Sequence, residues 1–307
     1  LDTSSKDRPT TIMFENCSHC VFRDFTVRTA SFWTLHPLGC YDVSVFGVRI
    51  LNSLRLANCD GIDPDHCRQV RIAGCHIECA DDCIVMKNSY GHEHYGDCEN
   101  ITITGCTLIS ASAAVKLGTD SVNDFKNIVV TNCAISASNR GIALMIRDKG
   151  NAENISFSDI TIETRTFAPV FWGRGEPICI TSVGRTKNAG SGSIRNVRFR
   201  NIFCTSENSL FIFADGVQKI KDVSFTDLSL TLKKTGEWPL GTKDLRPSGQ
   251  WPDPFPAPCA AIWIRNAEGV SFHKTRVSVD ANMKDQFRQS LFHENAPDLT
   301  FTEVCIR

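Results

Sequence analysis

Along this chain hydrophobic and polar residues alternate in short runs, and the runs recur. The segments "CVFRDFTVRTAS" from Cys20, "CYDVSVFGVRI" from Cys40, "CRQVRIAGCHIECADDCIVMK" from Cys67 and "CENITITGCTLISASAAVKLG" from Cys98 line up with one another. The series continues with "FKNIVVTNCAISASNRGIALM" from Phe125, "AENISFSDITIETR" from Ala152 and "IRNVRFRNIFCTSENSLFIFA" from Ile194. It closes with "IKDVSFTDLSL" from Ile220 and a weaker copy, "AEGVSFHKTRVSV", from Ala267. Each copy holds a polar turn, a short alternating strand, a corner that often carries Asn, Gly or Asp, and a second strand. A period of two sends alternate side chains to opposite faces, so each strand has one face for a core.

Successive copies lie roughly 22 to 31 residues apart, with longer gaps where loops intervene. A βαβ unit needs about 30 residues or more including its helix. No segment sustains the 3.6-residue apolar period of a helical repeat. A β-sandwich would show hairpin turns such as Asn-Gly between antiparallel strands, and these are nearly absent. The pattern predicts an all-β fold: a right-handed parallel β-helix of about nine coils, stacked about 4.8 Å apart, forming a single domain over residues 1–307. Two loop insertions interrupt it, near 165–193 and near 233–259. Loops of that length in a compact domain generally serve a purpose or are disordered. The chain begins in coil-like sequence, and solenoid ends need caps. Further N-terminal coils or a partner are therefore expected to cover that end.

Composition narrows the classes. With 42% hydrophobic and 22% charged residues the chain reads as a folded, soluble protein. A formal charge of -1 gives no case for nucleic acid as a partner. No run of about 18 apolar residues suggests a membrane span, and "LDTSSKDRPT" has no leader pattern. The fifteen cysteines are the anomaly. Cys75, Cys106 and Cys133 fall at the same point of successive copies, which reads as a ladder of buried, reduced thiols; several disulfides are the rival reading. "CSHC" at 17–20 has no second pair at zinc-site spacing, so neither a metal nor another cofactor is expected.

The chemistry gathers in "ANCDGIDPDHC", residues 57–67, and "ADDCIVMK", residues 80–87. A separation near one coil length stacks two residues on one face. Asp60 should thus neighbour Asp81 and Asp82, with carboxylates roughly 5 to 9 Å apart. Like charges so close raise at least one pKa, and a protonated acid beside ionised ones is what glycoside hydrolysis requires. Trp33 and His36 precede the first acid by about one coil and could stack on and hydrogen-bond a sugar ring. Trp172, Arg174 and Glu176 in "FWGRGEP" form an aromatic and charged cluster on a loop that could fold over the site.

These motifs resemble those of the polygalacturonase-like glycoside hydrolases of family twenty-eight, which read Asn-Thr-Asp-Gly and Asp-Asp-Cys at the same separation. "SFWTLHPLGC", residues 31–40, also resembles bacterial members, and the likeness covers roughly residues 8–160. The resemblance implies a parallel β-helix and hydrolysis with inversion. It makes Asp81 the general acid, Asp60 and Asp82 the activators of water, Asn58 a positioning residue and Lys87 a substrate-binding cation. The chain departs from the family where Gly-His-Gly and Arg-Ile-Lys are usual. Ala113 stands at the histidine position, and Ala143 and Met145 at the basic ones. Lys116 and Arg147 are the candidates to replace the lost cations.

The sequence thus predicts a glycosidase acting on a pectin-type or related acidic polysaccharide or oligosaccharide, without nucleic-acid or membrane partners, and secreted or periplasmic. Two alternatives stay open. A polysaccharide lyase on this scaffold would need a Lys or Arg base and acids holding calcium. A catalytically inactive carbohydrate-binding or structural β-helix would fit the missing histidine and basic pair.

Overall fold

The computed structural model describes residues 8–216, 219–287 and 289–306. Among them there is no α-helix, only short 3-10 turns such as Glu93–Tyr95 and Ala281–Met283. The strands form a parallel β-helix. One column of inward residues runs Phe22, Val45, Ile72, Ile103, Val130, Phe157, Phe199, Phe225, Phe272 and Phe301, each in parallel register with the next. The column crosses ten coils, one more than the repeat count suggested. Its last five members are stacked phenylalanines, with ring centroids 4.9, 4.8, 4.7 and 5.2 Å apart. The strand spacing itself sets those distances.

Asparagine explains the corners. Asn100, Asn127, Asn154 and Asn196 all hold a positive φ, a region that Asn tolerates better than other residues bearing a Cβ. The side-chain amides of Asn127, Asn154 and Asn196 each donate to the asparagine of the preceding coil, at 3.0, 3.3 and 2.7 Å. The corner residue thus sets both the turn and the register. All fifteen cysteines are free thiols, and Cys75, Cys106 and Cys133 are buried.

A second parallel sheet positions the chemistry. Its strands are Ile84–Asn88, Ala113–Ser121, Arg140–Ile146, Ile178–Ser182, Leu210–Ala214, Ala260–Arg265 and Gln289–Glu294, in that spatial order. Upstream, single bridges carry the ladder through Ile62 and Asp65 to Leu35–Leu38, which pairs with Ile12–Glu15. The sequence reading of 165–193 as one insertion needs correction here, because Ile178–Ser182 is a regular rung of this sheet. Its five residues were hidden between loops rich in Gly and Arg. The 233–259 segment is a loop carrying an antiparallel pair, Thr242–Lys243 with Phe255–Pro256.

The two loops interlock. Glu207 is fully buried and accepts hydrogen bonds from the backbone of Thr166 at 2.9 Å and Thr235 at 2.6 Å. Trp238 donates its indole N–H to the Phe167 carbonyl at 2.9 Å, and Asp244 accepts from the Gly173 amide at 3.0 Å. Leu245 and Trp251 from the second loop pack on Phe211, Phe213 and Trp263 of the sheet. The outward face of those rungs is therefore covered.

Candidate active site

Asp60 ends the loop that enters the 62–65 rung, and Asp81 and Asp82 form the next coil's corner between His76–Cys79 and Ile84–Asn88. Backbone bonds from Gly61 to the Asp82 carbonyl and from Ile62 to the Cys83 carbonyl, both 2.9 Å, lock the two coils in register. Gly61 has a packing reason: a Cβ there would lie 2.4 Å from the Cys83 carbonyl oxygen. The "DG" pair is thus a close contact of coils rather than a hairpin signal.

The three acids converge as the interval implied. One carboxylate oxygen from each lies within 4.8 Å of the others. This is tighter than the expected 5 to 9 Å, because all three side chains lean toward the same cavity from adjoining coils. The cavity has a volume of about 330 Å³. The acids share its floor with Asn58, Lys87, Ser112 and Lys116, while Trp33, Thr119 and Asp120 form its sides and residues 170–172 of the first loop reach over it.

Each acid has a different environment. Asp82 is buried; its Oδ2 lies 2.6 Å from Lys116 Nζ, and its Oδ1 accepts from Ser112 Oγ at 2.9 Å and the Ala113 amide at 3.1 Å. Burial works against its charge, yet Lys116 and then Lys87 hold Asp82 below the usual carboxylate range. Asp81 is half-buried and accepts one hydrogen bond from the Asn58 amide at 2.9 Å. Burial and then the neighbouring Asp82 push its carboxyl up. Burial and then Asp81 push Asp60 up to about 7, against the pull of Lys87. Asp60 Oδ1 meets no hydrogen-bond donor among the described residues.

Asp63 was missed by sequence reasoning although it lies in the quoted motif. It is fully buried, neither of its oxygens has a hydrogen-bond partner among the described residues, and Lys87 Nζ is 3.6 Å away. Burial and then Asp60 hold its carboxyl well above the usual range. A Lys87 ammonium shared between Asp60, at 3.5 Å, and Asp63 is the compensation the pair receives. Burial disfavours that ammonium, but the two carboxyls raise its pKa above the usual lysine value. The signal that could have found Asp63 is its place two residues before Asp65, on a rung whose flanking strands are wholly apolar or buried.

Other sequence candidates have different fates. Trp33 lines the cavity, with Lys87 Nζ 4.4 Å above its ring. His36 does not reach the cavity; it is buried, bonds Asp65 Oδ2 at 3.2 Å and meets Trp33 edge-on at 4.8 Å. Asp65 also accepts from the Ser89 amide and hydroxyl. Asn58 holds a positive φ and presents its amide to Asp81, while its side-chain oxygen takes a hydrogen bond from Arg8 at 3.3 Å. Trp172 is 41% exposed and lines the cavity.

The two candidate arginines are turned elsewhere. Arg147 is fully buried and donates to the carbonyls of Pro247, Leu245 and Thr181. Arg174 donates to the Phe171 carbonyl and lies 3.6 Å from Asp244. Both hold the loops rather than line the cavity: second-loop carbonyls close on Arg147, and Arg174 joins carbonyls of its own loop to the Asp244 carboxylate of the other. Glu176 pairs with Arg140 at 3.3 Å. Ala143 and Met145, at the family's basic positions, are buried beneath the second loop.

Comparisons with known proteins agree with this architecture. The chain superposes on a family 28 exopolygalacturonase from Yersinia enterocolitica with a TM-score of 0.62 and 14% identity, covering 92% of this chain and 44% of that one. For a hyperthermoactive exopolygalacturonase from Thermotoga maritima the TM-score is 0.56 and the identity 17%, covering 98% and 55%. A probable polygalacturonase from Vitis vinifera is 33% identical over 101 residues, 32% of this chain and 21% of that protein. The chain spans about a fifth of that curated relative and about half of the solved structures. Among the described residues no helix is long and apolar enough to cross a membrane. Residues 2–239 match the family described as glycosyl hydrolases family 28, and the chain belongs to that family.

Proposed function

We infer that this chain hydrolyses glycosidic bonds of a pectin-type or related polysaccharide, and that Asp60, Asp81 and Asp82 carry the reaction. The observation behind this reading is the convergence of three carboxylates, within 4.8 Å, on one cavity, with Asp60 and Asp81 raised in pKa and Asp82 lowered. Asp81 is half-buried and its carboxyl is raised by burial and by Asp82, which suits it to give a proton to the leaving glycosidic oxygen. Asp60 has an oxygen with no hydrogen-bond partner among the described residues and a pKa of about 7, suited to take a proton from the attacking water. Asp82, fixed as an anion by Lys116, stabilises positive charge developing at the anomeric carbon. The water oxygen bonds to that carbon as the leaving oxygen departs with Asp81's proton.

Lys87 and Lys116 both contact carboxylates as ammonium donors, which favours hydrolysis over elimination by a neutral lysine base. The covered face of the later rungs and the likeness to two solved exopolygalacturonases support attack from chain ends. Such an enzyme would meet its substrate outside the cytoplasm, in the periplasm or beyond the cell.

Inversion is the stereochemical reading that follows from the family. A screen of pectic and other oligosaccharides, with Asp81→Asn as control, tests the activity. Proton NMR of the first-formed product anomer then decides the stereochemistry. Turnover equal in Asp81→Asn would overturn the assignment.

A further inference from the structure

We propose that the glycosyl position served by these acids takes a neutral pyranosyl residue and rejects a uronosyl one. The proposal rests on reading the cavity as a glycosidase site. It goes beyond that reading by naming the ring that is released.

The cationic side chains lining the cavity, among the described residues, are Lys87 and Lys116. Both are committed: Lys116 lies 2.6 Å from Asp82, and Lys87 bridges Asp60 at 3.5 Å and Asp63 at 3.6 Å. Neither side chain is more than 9% exposed. Among the arginines nearby, Arg8 borders the cavity and donates to the carbonyls of Ser31 and Ala57 and to Asn58 Oδ1, and the others are held outside it. Arg147 is enclosed by backbone carbonyls, Arg140 pairs with Glu176, and Arg185 pairs with Asp148 and Asp120.

The row of the sheet that continues from Lys116 offers no further cation. In register with Lys116 come Ala143, Cys179, Phe211 and Trp263, and this apolar row is buried under the second loop. A uronate carboxylate would have to be desolvated beside Asp81 and Asp82, or break a buried ion pair to reach a lysine, and either is costly. A neutral ring needs only hydroxyl partners and apolar contact. The carboxylates, Ser112 and Thr119 supply the first, and Trp33 and Trp172 the second.

The test is a matched comparison. Galactose, galacturonate, glucose and glucuronate are titrated into the protein at neutral pH by calorimetry. In parallel, the nitrophenyl galactoside and glucoside and their uronide counterparts are assayed in both anomers. At least one neutral sugar should bind, with its uronate weaker on the order of 100-fold. In Asp82→Asn, which releases the Lys116 ammonium, the gap should shrink or reverse. A uronate that binds wild type as tightly as its neutral partner, or no binding by either neutral sugar, overturns the proposal. Hydrolysis of uronides alone would overturn it and leave the glycosidase reading intact. Neutral-sugar binding without any turnover would do the reverse.

Discussion

Lys116 Nζ lies 2.6 Å from Asp82 Oδ2 in a setting where both side chains are nearly inaccessible to water. Removing the lysine strands a buried carboxylate whose other oxygen is already bound by Ser112 and Ala113. Breaking a buried pair from one side costs about 3 to 5 kcal/mol. The sign follows from the lowered pKa of Asp82. A depressed carboxyl contributes stability above its unfolded pKa and loses it as pH falls through the folded one. Lys116→Met should therefore lower the melting temperature at pH near 7, and the difference from wild type should shrink once acid protonates Asp82 in both proteins. A difference independent of pH would show that Lys116 acts by packing alone.

Asp60 gives the opposite slope. Its carboxyl is raised from 3.8 to about 7 by burial and Asp81, so the folded state binds its proton more tightly than the unfolded chain. Stability from this group is greatest below the unfolded pKa and declines as pH rises toward about 7. Asp60→Asn should flatten the fall in melting temperature over that interval while abolishing turnover. Thermal melts across the pH series, read beside activity, check both arms. An unchanged slope would mean that Asp60 titrates normally.

The loop roof depends on Glu207, which ties the two insertions through Thr166 and Thr235 and also accepts from the Gly236 amide. Glu207→Ala leaves those buried donors unmatched, each at about 1 to 3 kcal/mol. The expected outcome is faster proteolytic cutting within 233–259 and a higher KM, with the β-sheet circular dichroism unchanged. Loss of the β signal would place Glu207 in the coil core instead.

Much of this was legible in the sequence because a solenoid converts interval into neighbourhood. Asp60 and Asp81 could be stacked on paper since one uninterrupted coil separates them. The stacked phenylalanines were visible in "NISFSDI", "NVRFRNI" and "DVSFTDL" for the same reason. Arg147 and Arg174 were not, because what encloses Arg147 lies about a hundred positions downstream and Asp244 sits in the other loop. Loop docking leaves no periodic trace. Asp63 was missed for a different reason: a fully buried acid in a β-rung breaks the apolar pattern, and pattern reading treats such a residue as a turn.

Asp81 carries the sharpest test. It is the member of the three that faces the cavity half-buried, held by a single amide from Asn58, so its proton can reach a substrate. Asp81→Asn keeps the shape and removes the titrating group, and folding should survive. General acid catalysis contributes on the order of 10² to 10⁴-fold, roughly 3 to 5 kcal/mol of barrier. The loss should appear in kcat with KM little changed, because the proton moves only in the transition state. A substrate with a good leaving group, such as a dinitrophenyl glycoside, needs little protonation and should recover most of the rate. The same substrate should not rescue Asp60→Asn or Asp82→Asn, whose roles concern the water and the developing charge. If it rescues all three equally, the acids act as one electrostatic cluster. If it rescues none, the proton comes from elsewhere in the cavity.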